Sequence, residues 1–159
     1  MRIALIGYTG FVGSNLVDQY TFTDVYNSKN IQEIHGKDYD LCICAGVRAP
    51  KWIANEQPIK DLSDIQELIN HVSKAEIKTM VLVSTVDVYP ERVDVDENTP
   101  IDASRLEPYG FNRRYLEQWV ESTYSSHLIL RLPGLLGKGI KKNFRSEEHT
   151  SELQSLSHL

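Results

Sequence analysis

The residues Gly7-Tyr8-Thr9-Gly10-Phe11-Val12-Gly13 set three glycines at G-x-x-G-x-x-G spacing, directly after the apolar run 2–6 and at the start of a helical pattern over 10–20. Each glycine meets a separate physical demand. Gly7 permits a tight turn out of a strand, Gly10 lets the backbone approach a diphosphate, and Gly13 lets the helix lie close on the sheet. Unpaired N–H groups at the helix start, with their partial positive charge, favour an anion at this turn. Between a strand and a helix, this pattern predicts dinucleotide binding by residues 7–13. Cys42 and Cys44 stand two apart in another apolar run, on one face of a strand and poorly placed to bridge each other. They are expected as buried reduced thiols. The five histidines form no ligand cluster, so no metal site is expected.

These residues need a frame to hold them. Four nearly continuous apolar runs, 2–6, 41–45, 80–84 and 128–132, read as parallel strands buried on both faces, with 23–26 as a weaker fifth. Helical segments alternate with them: 10–20, then 61–72 with Leu62, Ile65, Leu68, Ile69 and Val72 on one face, then 109–121. A short capped helix is expected over 28–35, closed by Gly36. The alternation predicts a doubly wound α/β sheet. Residues 90–108 hold six carboxylates and three prolines and read as a polar loop at the carboxyl end of a strand, the usual place for a ligand site.

Composition narrows the function further. The chain has 159 residues, 41% hydrophobic and 25% charged, which suits one globular domain. Its formal charge of -5 argues against a nucleic-acid or anionic-membrane surface, leaving a small-molecule substrate as the expected partner. No apolar run reaches the ~20 residues of a membrane span, and the opening run meets Gly7 too soon for a signal peptide, so a cytoplasmic address is expected. Arg48 reads as a surface ion-pair partner, and Trp52, Trp119 and Tyr115 as residues that cover helix faces.

Several segments together resemble the extended short-chain dehydrogenase/reductase family, the NAD(P)-dependent sugar-nucleotide epimerases, dehydratases and reductases. Gly7, Gly10 and Gly13 match its glycine spacing, and Ala45-Gly46-Val47 looks like the end of its strand beside the cofactor. Ser84-Thr85-Val86-Asp87-Val88-Tyr89 matches its Ser-Ser/Thr-x-x-Val-Tyr strand. Tyr109-Gly110-Phe111-Asn112-Arg113 matches its Tyr-x-x-x-Lys helix with the lysine replaced. Arg131-Leu132-Pro133-Gly134-Leu135-Leu136-Gly137 looks like its later Arg-Pro-x-x-x-x-Gly segment, with Pro133 near the cofactor.

The resemblance implies a Rossmann-like fold, a nicotinamide cofactor and roles for three residues. Tyr109 would be the general acid/base at a carbinol or carbonyl oxygen, Thr85 would hydrogen-bond that oxygen, and Arg113 would supply charge from the same helical face. A cation about 4 Å from a phenol, at an effective dielectric near 20, favours the phenolate by about 4 kcal/mol. Arginine gives the same charge as lysine but cannot shuttle a proton. The family's dehydratases carry an Asp-Glu pair after the threonine; Val86-Asp87 lacks the first carboxylate, which disfavours dehydration. The second strand ends in Tyr26-Asn27-Ser28-Lys29 with no carboxylate for a ribose hydroxyl, and Ser28 and Lys29 could hold a 2′-phosphate. NADP is therefore expected ahead of NAD. A homodimer is implied for the full-length protein, and a non-catalytic NAD(P)-binding module is the competing expectation.

From Arg145 the text changes character. The run Arg145-Ser146-Glu147-Glu148-His149-Thr150-Ser151-Glu152-Leu153-Gln154-Ser155 resembles translated read-through of a short-read sequencing adapter. The expectation is an NAD(P)-binding domain over 1–144, cut short before most of its substrate domain and without turnover of its own, followed by a non-native tail over 145–159.

Overall fold

Ile3, Ala4, Leu5 and Ile6 are all buried, as a strand covered on both faces requires, and they form β1 (Ile3–Ile6) of a parallel sheet. The computed structural model describes residues 1–47 and 50–135. The other strands are β2 (Asp24–Tyr26), β3 (Asp38–Cys44), β4 (Glu76–Thr85) and β5 (Ser126–Leu132). Their order across the sheet is β2-β1-β3-β4-β5, with every neighbouring pair parallel. All five expected strands are present, in a doubly wound α/β fold of Rossmann-like type.

The chain runs from β1 outward to β2 and then crosses back to β3 on the other side of β1. Ile6 pairs with Cys44 at the carboxyl end, so the first crossover and the second diverge above that point and leave a crevice between β1 and β3. Residues 7–13 and Ala45-Gly46-Val47 flank it.

The helices are α1 (Phe11–Val17), α2 (Lys51–Glu56), α3 (Pro58–Val72) and α4 (Pro108–Thr123). Proline stands at the first turn of both α3 and α4, where its missing N–H costs nothing. α1 is shorter than expected. α2 carries no apolar period in its six residues and was not foreseen.

The helix expected over 28–35 is instead a 3₁₀ turn, Ile31–Ile34. Asn30 explains the difference. Its side chain donates to Val25 O (3.0 Å) and accepts from Asn27 N (2.7 Å), so it ties the loop to β2 and does not cap a helix. Gly36 does close the turn, at φ +71°.

Cys42, Cys44, Met80 and Leu82 along the central strands join Ile65 and Val72 of α3 and Leu116 and Val120 of α4 in one core. Burial pushes both thiols up, Cys44 to about 11, and both cysteines are free, as expected of buried reduced thiols. Trp119 packs edge-on against Tyr124 at 5.5 Å, whereas Trp52 and Tyr115 are more exposed. Residues 90–108 form the expected polar loop, with one 3₁₀ turn at Ala103–Arg105. Among the described residues, no helix is long and apolar enough to cross a membrane and no group of three ligating side chains could hold a metal ion.

Candidate functional site

Two of the three motif glycines are demanded by the chain itself. Gly7 sits at φ +88°, and a Cβ there would lie 2.3 Å from Ala45 O. A Cβ on Gly13 would lie 2.1 Å from Gly7 O, so α1 can rest on the turn only without it. Gly10 is different: its φ is -79°, and a Cβ would meet only Gly7 O at 3.3 Å. The bare backbone at Gly10 therefore serves the space above it more than the fold below.

That space is a crevice with two chambers. The smaller, about 380 Å³, is lined by Gly7, Asn27, Ser28 and Gly46 together with Asp61, Asp64, Glu67 and His71 of α3. The larger, about 760 Å³, is lined by Phe11, Val12, Ser84, Thr85, Tyr109, Arg113 and Pro133. Thr9, Gly10, Ala45 and Val47 line both, which joins the chambers at the glycine turn. Tyr8, Gly13 and Lys29 are not brought into the lining. Gly13 is the buried residue of α1, packed against the Gly7 carbonyl. Lys29 is exposed, with its amide donating to Asn27 Oδ1 at 2.8 Å. Arg48, Leu136, Gly137 and the tail 145–159 lie outside the described residues.

Tyr109 is set by backbone contacts. Its amide donates to Asn55 Oδ1 of α2 at 2.9 Å, and Gly110 brings α4 so close to the turn after β4 that a Cβ would lie 2.2 Å from Asp87 O. The Thr85 hydroxyl accepts from Asp87 N at 3.1 Å and donates to Asp87 Oδ2 at 3.3 Å. The Asp87 carboxylate is clamped by Lys51 Nζ (3.1 Å) and Arg92 Nη2 (3.0 Å).

Arg113 shares the helical face of Tyr109, as the spacing predicted, but not as an uncompensated cation. Its guanidinium carbon lies 4.3 Å from the centroid of the Tyr109 ring, and Nη1 donates to Asp61 Oδ2 at 2.6 Å. A cation 5% exposed needs a carboxylate partner, and Asp61, 6% exposed, is that partner. Nη2 is buried without a partner.

One turn further along α4, Glu117 is fully buried. It accepts from Ser84 Oγ (2.6 Å), Arg114 Nη1 (2.9 Å), and Arg131 Nε (3.0 Å) and Nη2 (2.9 Å). Arg131 Nη1 also donates to Tyr89 OH (2.6 Å), which donates to Asp96 O (2.7 Å) in the loop 90–108. The network ties β4, α4, β5 and the loop together behind Thr85. Neither Asp61 nor Glu117 was foreseen. The i, i+4, i+8 spacing of Tyr109, Arg113 and Glu117 was the only signal for Glu117.

Comparison with known proteins bears on the family and the fold. The model of the NAD dependent epimerase/dehydratase family matches residues 20–155, while no curated protein sequence matches the chain. Among solved structures the chain is similar to a dTDP-4-dehydrorhamnose reductase from Bacillus anthracis str. Ames in complex with NADP. That pair shares 18% identity and a TM-score of 0.69 over 94% of this chain and 58% of the other. It is also similar to a UDP-glucuronic acid 4-epimerase from Bacillus cereus in complex with NAD, at 16% identity and TM-score 0.64 over 86% and 57%. A UDP-N-acetylglucosamine 4-epimerase from Methanobrevibacter ruminantium M1 gives 15% identity and TM-score 0.64 over 89% and 59%. At such identities the structural likeness is one of fold, and the chain spans 57–59% of the length of these three structures. With its matched residues covering most of the sequence, the chain belongs to the NAD dependent epimerase/dehydratase family.

Proposed function

We propose that this chain is the NAD(P)-binding part of an oxidoreductase or epimerase acting on a nucleotide-bound sugar. The observation that carries this reading is the continuity of the crevice. Thr9, Gly10, Ala45 and Val47 line both chambers, and the larger chamber leads from them to Thr85 and Tyr109. The family membership and the nucleotide-sugar enzymes among its structural neighbours support the substrate class.

A nicotinamide dinucleotide fits the residues present. Gly10 keeps the junction of the chambers clear of side chain, and the buried Nη2 of Arg113 lacks an acceptor. Gly7, Thr9, Gly10, Phe11 and Val12 would hold its diphosphate, Asn27, Ser28 and Gly46 its adenosine half, and Ala45, Val47, Arg113 and Pro133 its nicotinamide half. Bound there, the coenzyme would supply or accept a hydride at a sugar carbon. NADP is preferred to NAD on the strand end, because β2 ends at Tyr26 and is followed by Asn27 and Ser28, with no carboxylate there to accept from a ribose 2′-hydroxyl; the carboxylates that line this chamber, Asp61, Asp64 and Glu67, come from α3.

The proton chemistry falls to this chain's own groups. Tyr109 gives or takes the proton at the sugar oxygen, and Thr85 hydrogen-bonds the same oxygen once its hydroxyl turns from Asp87. Elimination of water is disfavoured. Val86 stands where a paired carboxylate would be needed, and Asp87 is engaged by two cations.

The test is deuteride transfer from labelled NADPH to a nucleotide-bound 4-keto sugar, using the chain extended along its genomic reading frame. Tyr109→Phe is expected to slow transfer at least 10²-fold or so with coenzyme affinity unchanged. Transfer at the parent rate would overturn the role of Tyr109. A second reading, a coenzyme-binding module without turnover, is favoured by one observation: the charge of Arg113 is balanced by Asp61. Arg113→Lys separates the two. Faster transfer marks a weakened enzyme, and retained binding with no transfer in either protein marks the module.

A further inference from the structure

The two chambers differ in charge. Among the described residues, the smaller is lined by Asp61, Asp64 and Glu67 and by no lysine or arginine. The larger is lined by Lys51, Arg92 and Arg113, with Asp87 as its one lining carboxylate. Arg113 is balanced by Asp61, which leaves Lys51 and Arg92 to set the charge of the larger chamber. They come from separate elements, Lys51 from the start of α2 and Arg92 from the loop 90–108. Both converge on one atom, Asp87 Oδ1, at 3.1 and 3.0 Å. Glu107 Oε2 also lies 3.2 Å from Lys51 Nζ, but its side chain is 64% exposed and stands outside the lining.

One carboxylate oxygen cannot satisfy an ammonium and a guanidinium, which together present far more N–H donors than it has lone pairs. The Lys51 and Arg92 side chains are 38% and 52% exposed, so donors remain within reach of a ligand in the chamber they line. The second oxygen of Asp87 accepts from Thr85 Oγ1 at 3.3 Å, and Gly110 sets α4 against the Asp87 carbonyl. The cation pair is thereby fixed at the end of the chamber where Thr85 and Tyr109 stand.

We propose that Lys51 and Arg92 receive an oxyanion carried by the sugar substrate, and that the Asp87 carboxylate occupies them until it arrives. The inference rests on the reading above for the substrate's being a sugar, and it adds that the sugar is acidic. Arginine offers an oxyanion a planar fork and lysine a point charge, and both act more strongly where a chamber excludes water. The oxyanion can come from a carboxylate on the sugar ring or from a phosphate attached to it. Asp87 is accordingly a competitor of the substrate and not a group that binds it.

The experiment is an amide NMR titration of the whole chain with glucuronate, glucose 1-phosphate, glucose and inorganic phosphate at constant ionic strength, with and without NADPH. One of the two acidic sugars is expected to saturate, moving the Thr85 and Asp87 amides, about tenfold or more tighter than glucose or inorganic phosphate. The tighter of the two identifies the source of the oxyanion. Lys51→Met and Arg92→Gln should each weaken that binding about tenfold, the effect of losing a hydrogen bond from a charged donor. Asp87→Asn should tighten it. Arg92 lies in an exposed loop, so its variant decides even if Lys51→Met does not fold. Acidic sugars that bind no better than glucose overturn the inference, as does inorganic phosphate that binds equally well, which would make the pair a site for an adventitious ion only. Unchanged affinity in Arg92→Gln, or weaker binding in Asp87→Asn, overturns it too. The titrations without NADPH keep the two readings apart. Acidic-sugar binding in a chain that takes neither NADPH nor NADH overturns the coenzyme reading alone, and coenzyme binding without acidic-sugar binding overturns this inference alone.

Discussion

The two ends of the sheet are built to different standards. At the amino ends of β2 and β3, Asp24, Lys37 and Tyr39 meet Tyr26 in a closed polar cluster. Tyr39 OH donates to Asp24 Oδ2 (2.6 Å), Lys37 Nζ donates to Asp24 Oδ1 (3.2 Å) and Tyr26 OH (2.9 Å), and the two tyrosine hydroxyls are 2.5 Å apart. At the carboxyl ends, the chain spends a left-handed glycine, three backbone contacts too close for any Cβ and a buried ion pair around an open crevice, and leaves one buried donor without an acceptor. A fold optimising only itself would close both ends alike. The difference supports the proposal that the carboxyl end is the working face.

Mutations should therefore act differently at the two ends. The largest expected effect is at Glu117. Replacing it by alanine leaves Arg114 and Arg131 without their buried carboxylate and should cost about 3 to 5 kcal/mol in chemical denaturation. A loss below 1 kcal/mol would show the network to be incidental. Next comes the contrast within the glycine turn. Gly7→Ala, forced to φ +88° against Ala45 O, should destabilise by about 3 kcal/mol. Gly10→Ala should stay within about 1 kcal/mol of the parent yet weaken coenzyme binding about tenfold. Equal stability losses at the two glycines would erase the distinction between fold and ligand.

At the amino end, Asp24→Asn should cost about 1 to 2 kcal/mol and leave coenzyme affinity untouched. The Tyr39 hydroxyl holds the Asp24 carboxyl below the usual carboxylate range, opposed by burial and helped by Lys37. Because the folded-state value is depressed, this stabilisation is present above the ordinary carboxylate range and is lost as pH falls through the depressed value. The parent should therefore lose more stability on acidification than Asp24→Asn. The smallest effect belongs to the stacked pair His35 and His71, whose ring nitrogens are 2.8 Å apart. Burial, then Lys74 and His71, hold His35 below its ordinary value, so its contribution is present above the ordinary histidine range and lost as pH falls through the lowered value. A plot of melting temperature against pH should be slightly flatter on the acid side for His71→Ala.

The sequence made some of this legible. Apolar runs made β1, β3, β4 and β5 evident, but the expectation that 128–132 is buried on both faces is corrected: β5 is an edge of the described sheet, and its Leu128 and Leu130 are exposed. The three-residue β2 was faint because so few residues carry its signal. α2 and the 3₁₀ turn at Ile31–Ile34 depend on Pro50 and on the Asn27–Asn30 side-chain bonds, which periodicity does not report. At the site, spacing put Arg113 on the face of Tyr109 but could not tell where its charge would go. That depends on Asp61, 52 residues earlier, and on α3 and α4 packing together. Glu117 was hidden for the same reason: a glutamate in a helix looks exposed until Ser84, Arg114 and Arg131 close over it.

The central claim is that the crevice at the glycine turn takes a nicotinamide dinucleotide, and direct titration of the chain with NADPH and with NADH tests it most simply. The account predicts saturation at one site per chain, tighter for NADPH and weakened in Gly10→Ala. Failure of both coenzymes to saturate a folded chain would contradict it.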